Sequence, residues 1–280
     1  MNWTVDKITK RLYPVVDSYM RSLRQDWFEK SQKIVNYSEF IPLADEWFKS
    51  TKLNDLQGWG NFPYIDVIMG CTHFIESFIL QHGWDGMQIL PEEYSYYTLV
   101  GGKYGSELGQ LTPNIPLIVS LPNWRYANLR PEWEQLLKEC ESKNIDIHID
   151  FAWITTARDI QIDLNHPCIK SFAMSMSKYG LAWNRIGLRW SRQRHPDAIT
   201  MFNHYYGDVN TALTSCGAFM INNIPRDYAW NTYGDLHFQL CRELELNPTK
   251  LLHVAHSKEY QPMGIGVMLL DQIAYNEYLI

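Results

Sequence analysis

The sequence predicts an α/β protein, a mainly parallel sheet flanked by helices. Short apolar runs of strand length alternate with longer segments of helical period. The runs end on Gly, Pro, Asn or Asp, residues that stop strands. At 280 residues, 46% hydrophobic and 20% charged, the chain is long and apolar enough to bury such a sheet on both faces.

The elements follow in order. From Val5 to Ser50 apolar and charged residues alternate at helical spacing, as in "LADEWFKSTKL", which predicts two or more helices. "LNDLQGWGNFPY" is a loop punctuated by Gly and Pro. "IDVIMG" reads as a strand ending in Gly70, and "CTHFIESFILQHG" as a helix closed by Gly83. "GMQILPEEY" and "IPLIVSLPN" are further short runs ending in Pro. "RPEWEQLLKECESKN" is an amphipathic helix with Pro131 near its start, and "IDIHIDFAW" and "CIKSFAMSMSK" are strands. Gly70, Asn123, Asp150 and Lys178 all fall at or just past strand ends, where α/β sheets bind ligands.

Composition narrows the function. The net charge is −6 with no Lys/Arg-rich block, which gives no support for nucleic-acid binding. No apolar run approaches membrane-spanning length, and "MNWTVDKITKRLYP" lacks the apolar core of a signal peptide. Cys71, Cys140, Cys168, Cys216 and Cys241 form no CxxC pair, and an odd count fits a reducing compartment. The expectation is a soluble cytoplasmic protein without a membrane partner. The nine histidines show no ligand spacing, so no metal is expected. The 11 Trp and 17 Tyr suit aromatic-lined cavities or a subunit interface, and equally a core.

The segment "SMSKYGLAWNRIG", residues 175–187, places Lys178 among small, hydroxyl and apolar residues. A desolvated lysine has a depressed pKa and attacks carbonyls to form a Schiff base. If the carbonyl is that of pyridoxal phosphate, further groups are required. The phosphate needs a helix N-terminus, hydroxyls and an arginine; the pyridine nitrogen needs a carboxylate; the ring face needs an aromatic neighbour. Gly70, Cys71 and Thr72 open a helix after a strand, Ser175, Ser177 and Arg185 flank the lysine, Asp150 ends a strand, and Tyr94 follows one.

Together these segments resemble the fold type I pyridoxal-phosphate enzymes, specifically class I/II aminotransferases. The family's lysine segment S-x-S-K-x-x-G-L-x-G-x-R-x-G is similar to "SMSKYGLAWNRIG", which is one residue shorter between lysine and arginine. "DFAW" at Asp150–Trp153 resembles D-E-A-Y, "PNWRYANLRPEW" keeps the asparagine of N-P-T-G at Asn123, "GCTHFI" resembles the phosphate loop, and "LPEEYSYY" resembles P-x-Y-x-x-Y. The likeness spans roughly Leu53 to Arg194, with the motifs in family order. It implies a PLP-transferase-like large domain over 51–200, preceded by a helical segment over 1–50 and followed by a reduced C-terminal small domain over 201–280.

The resemblance also implies roles. Lys178 holds pyridoxal 5'-phosphate and shuttles a proton, Asp150 binds the ring nitrogen, Asn123 the 3-oxygen and Tyr94 the ring face. Gly70, Cys71, Thr72, Ser175, Ser177 and Arg185 form the phosphate cup. Trp153 stands where the family has a tyrosine. A homodimer acting on a small amine or amino acid is implied, by transamination or by lyase, decarboxylase or racemase chemistry; a silent binding protein on the same fold is the third reading. The usual late carboxylate-binding arginine has no counterpart after Arg242, which leaves Arg125, Arg226 and Lys258 as substitutes.

Singly, each residue has a plainer reading: Lys178 a snorkelling lysine, Asp150 a strand cap, Arg185 a surface charge, Ser175 a helix cap. Tyr94, Tyr96 and Tyr97 read as core or interface, His148 as sheet packing and Cys71 as a buried thiol. His73 reads as structural or as a phosphate contact.

Overall fold

The computed structural model describes residues 17–269 except 31–32, 84–85, 101–102, 105–106, 180, 182–183 and 208. Residues 5–16 of the expected helical segment, Gly180 of the lysine segment and the tail 270–280 lie outside the described residues.

Two helices come first, α1 (Ser18–Lys30) and α2 (Tyr37–Lys49). Asn36 caps α2, its side chain accepting the Glu39 N–H at 3.0 Å. Phe40, Ala44, Trp47 and Phe48 form the buried stripe of α2, at spacings of four, three and one. Next come β1 (Asp55–Gln57), β2 (Tyr64–Ile68), α3 (Gly70–His82), β3 (Gln88–Ile89), α4 (Tyr96–Leu99), β4 (Lys103–Tyr104) and β5 (Leu117–Ser120). The chain continues through α5 (Trp133–Ser142), β6 (Ile147–Asp150), β7 (Gln161–Asp163), β8 (Ile169–Ser175) and β9 (Gly187–Ser191). It closes with α6 (Ala198–Thr200), α7 (Thr211–Asn223), α8 (Tyr228–Glu243), β10 (Asn247–Pro248), β11 (Val254–His256) and β12 (Pro262–Gly264).

The main sheet has seven strands in the order β2-β9-β8-β6-β5-β3-β4. Among the described residues of this sheet, β9 alone runs against its neighbours, β2 and β8. The others are parallel, as the apolar runs predict. Every residue of β5, β6 and β9 is buried, the mark of strands covered on both faces. Much of the aromatic content is core. Phe172 of β8 stacks on Trp190 of β9 at 5.0 Å between centroids, and Trp59 meets both rings edge-on at 5.2 Å.

One ionic cluster lies inside this packing. Arg189 of β9 is fully buried and donates to Asp66 of β2, at 2.6 and 3.0 Å, and to Asp197. Asp197 also caps α6 by accepting the Thr200 N–H. The desolvated guanidinium is thus matched by two carboxylates.

The smaller C-terminal region is the antiparallel sheet β10-β11-β12 with α8 beside it. Helices α1 and α2 pack on α7. Among the described residues no helix is long and apolar enough to cross a membrane, and no group of three or more His, Cys, Asp or Glu could hold a metal ion. All five cysteines are buried free thiols.

Candidate active site

The parallel strands deliver their last residues to one rim. The register pairs Ser120 of β5 with Asp150 of β6, and Asp150 with Ala173 of β8. Strand β8 ends two residues later at Ser175 and turns into a short 3-10 helix, Met176–Lys178. Because β9 is reversed it starts at this same rim, Gly187 opposite Ser175 and Ile68, which brings in Arg185. Strand β2 leaves through Met69 into α3. Together these ends line a cavity with about 540 Å³ of empty space, the open solvent at its mouth included.

One end of the cavity suits an anion. Gly70 opens α3 at φ +77°, a left-handed conformation that favours glycine. A Cβ there would stand 3.1 Å from Ser177 Oγ and 3.2 Å from Arg185 Cβ. The chain therefore approaches closely, and Cys71 and Thr72, in the first turn of the 13-residue α3, line the cavity. Arg185 Nη1 donates to Thr72 Oγ1 at 2.9 Å. Ser177 Oγ is buried without a hydrogen-bond partner. An unspent hydroxyl, a guanidinium and a helix N-terminus in one corner fit a phosphate.

The same cavity holds Asp150, Lys178 and Trp153. Asp150 Oδ1 accepts the Ala152 N–H and Oδ2 accepts the Tyr97 hydroxyl, both at 2.9 Å. Burial pushes this carboxyl up from its usual range, against those donors, the Cys71 thiol and the Lys178 ammonium. Lys178 Nζ stands 4.1 Å from the centre of the Trp153 ring. Burial draws its pKa down from 10.5 to about 8, with the Asp150 carboxylate opposing and Arg185 assisting. Lys178 is therefore expected to react with an aromatic aldehyde along a pH curve with its midpoint near 8. Borohydride-trapped labelling against pH measures this, and a midpoint at 10.5 would show a solvated ammonium.

Of the residues expected from sequence, Cys71, Thr72, Tyr94, Asp150, Trp153, Ser175, Ser177, Lys178 and Arg185 line this cavity, and Gly70 lies directly behind it. Asn123 is not brought in. It is fully buried, its amide donating to Glu92 O at 3.3 Å and its carbonyl accepting the Arg125 N–H at 2.8 Å, so it shapes the loop after β5. The three substitute cations are committed elsewhere: Arg125 to Glu92 and Gln261, Arg226 to the carbonyls of Ile154 and Thr155, Lys258 to Glu245. His73 accepts the Met69 N–H at 3.2 Å, and His148 bonds Ser171 at 2.7 Å within the sheet.

Five residues at or beside the cavity escaped the sequence reading. Ile75, Ser120 and Ala152 line it. Buried Glu93 accepts from the Ser120 N–H and hydroxyl and faces Arg130 at 3.3 Å. Burial lifts its carboxyl to about 7. Tyr97, read as core or interface, reaches Asp150 from α4. Its signal was present only as the second tyrosine of a Y-x-x-Y spacing, Tyr94 to Tyr97.

No protein-family model matches the chain, and no curated protein matches it by sequence. Solved structures match it in fold. The PLP-bound C-S lyase from Staphylococcus hominis superposes with a TM-score of 0.61 at 12% identity, covering 88% of this chain and 76% of that one. Tyrosine aminotransferase from Leishmania infantum gives 0.61 at 11%, covering 87% and 78%. A NifS-like protein from Rickettsia africae gives 0.58 at 14%, again covering 87% and 78%. The chain therefore has the fold of the fold type I pyridoxal-phosphate enzymes.

Proposed function

We propose that the protein is a pyridoxal-phosphate-dependent enzyme acting on a small amine or amino acid, in the manner of the aminotransferases, with Lys178 as the covalent attachment point. The observation that carries this is the pairing, in one cavity, of a lysine whose pKa burial lowers to about 8 with an anion corner whose Ser177 hydroxyl is unspent. Arg185, Thr72, Ser175, Ser177 and the N–H groups at the start of α3 would hold the phosphate. Asp150 would take the ring nitrogen, and Tyr94 and Trp153 would flank the ring. Bound there, the cofactor supplies an electron-withdrawing ring that stabilises negative charge at the substrate carbon beside the amine.

The chain's residues do the rest. Asp150 holds the proton at the ring nitrogen. Lys178 Nζ, neutral in a large fraction above pH 8, removes and returns the proton at the substrate carbon. Tyr94, Trp153 and Ile75 give the cavity an aromatic and apolar lining. Among the described residues, the cavity's cations are Lys178 and Arg185, both already assigned, and this favours an amine recognised by apolar contacts over a common α-amino acid. We place the protein as a homodimer, on the family resemblance.

Titration of the purified protein with pyridoxal phosphate is the test. The expected result is a yellow protein whose label, after borohydride reduction, maps to Lys178. A panel of amines and α-amino acids then changes the spectrum, with amines the better substrates. A colourless protein that takes up no cofactor sinks the proposal, and efficient conversion of aspartate, glutamate or alanine sinks its substrate arm.

A further inference from the structure

Asp150 has an anchor outside the cavity lining. We infer that Tyr97 is a positioning residue for the ring-nitrogen end of the site, its hydroxyl holding Asp150 ionised and correctly turned; this rests on the reading of Asp150 proposed above.

The geometry is direct. Tyr97 is fully buried on α4 and donates to Asp150 Oδ2 at 2.9 Å, while the Ala152 N–H occupies Oδ1. Each carboxylate oxygen accepts two hydrogen bonds, so Oδ2 keeps a site for a ring N–H. With one donor on each oxygen the carboxylate plane is fixed. A buried carboxyl without such donors takes a proton, and a protonated Asp150 carries no charge with which to hold a second proton on the ring. Burial and the Asp150 charge push the phenol's own ionisation well up, so Tyr97 stays a donor. Its ring also meets Tyr94 edge-on at 5.9 Å, so one short segment carries both the ring-face residue and the carboxylate's anchor.

The groups facing Asp150 are the Cys71 thiol from α3, the Lys178 ammonium from the 3-10 helix and the Tyr97 phenol from α4; Glu93, before α4, also feels its charge. A readout specific to Asp150 is therefore needed. The infrared carboxyl band of the cofactor-free protein, taken as the difference from Asp150→Asn, supplies it.

Tyr97→Phe is expected to raise the Asp150 midpoint by about one pH unit, the size of one charge-assisted hydrogen bond. The acid limb of pyridoxal-phosphate affinity should rise by the same amount. Difluorotyrosine placed at position 97 alone keeps every packing contact and is the stronger donor, so it should move both midpoints down. It also serves if Tyr97→Phe fails to fold. Coincident infrared midpoints overturn the inference. Shifted infrared midpoints with unshifted cofactor affinity overturn it as well, leaving the proposed function standing. Failure of the wild-type protein to bind the cofactor at any pH overturns the function itself, and the inference with it.

Discussion

Lys178→Ala is expected to abolish covalent retention of the cofactor, the visible absorbance of the loaded protein and essentially all turnover. Lys178 is asked to do two things, attach and move a proton. Removing a positioned general base alone costs on the order of 10²–10⁴ in rate, and loss of attachment comes on top. The fold should survive, because Lys178 lines the cavity rather than the core, and the Trp153 ring that it faces remains packed on His253 at 4.2 Å. The phosphate corner is untouched, so the variant should still bind pyridoxal phosphate without attaching it. Absorbance after desalting, with mass spectrometry of borohydride-treated protein, checks this. A variant that keeps a reducible adduct at another lysine would show that Lys178 is not the attachment point.

Asp150→Asn is the second large effect. Shape and the Ala152 contact can persist, but the charge that holds a proton on the ring nitrogen is gone. Turnover should fall by roughly 10²–10³, as when a preorganised electrostatic contact is removed, while cofactor affinity falls far less because the phosphate corner remains. A pH signature goes with it. The Asp150 pKa in the fold is raised above its ordinary 3.8 by burial. A raised carboxyl favours the folded state most below its unfolded pKa, and that advantage is lost as pH rises through the folded value. Cofactor-free Asp150→Asn should therefore match the wild type in acid and become the more stable of the two as pH rises. Thermal melts across the acid-to-neutral range measure it. Equal rates in variant and wild type, with any true substrate, would remove Asp150 from the ring nitrogen.

How much of this was legible in the sequence depends on how local each feature is. The parallel strands showed in two ways: a strand buried on both faces reads as a short apolar run, as "LIV" before Ser120 does, and β6 showed by the alternation of "IDIHID". Strand-end residues were legible for the same reason: once the run stops, the next polar residue lies on the rim. Lys178 stood out because its own neighbours are apolar or hydroxyl, and Arg185 only through its spacing from Lys178 in the family's motif. The reversed strand β9 was not read, since "GLRWS" carries a buried arginine whose partners, Asp66 and Asp197, lie on other elements. The Tyr97–Asp150 contact joins residues 53 positions apart, and no periodicity reports such a meeting. The direction of Asn123 was not legible, because a motif match fixes a position, not a side-chain direction, and here the amide bonds the loop's own backbone. The C-terminal sheet is built of strands two or three residues long, too short to show any alternation.

The reversal of β9 also gives the parts of the site unequal chain-entropy costs. Lys178 and Arg185 sit on one hairpin connection, whereas the Thr72 hydroxyl that Arg185 meets comes from 113 positions away in the chain. Closing the longer loop costs roughly 2 kcal/mol more chain entropy than closing the hairpin. Pairing of β8 with β9 is therefore enough to bring the ammonium and guanidinium together, whereas the cup also depends on the long-range contact with the start of α3.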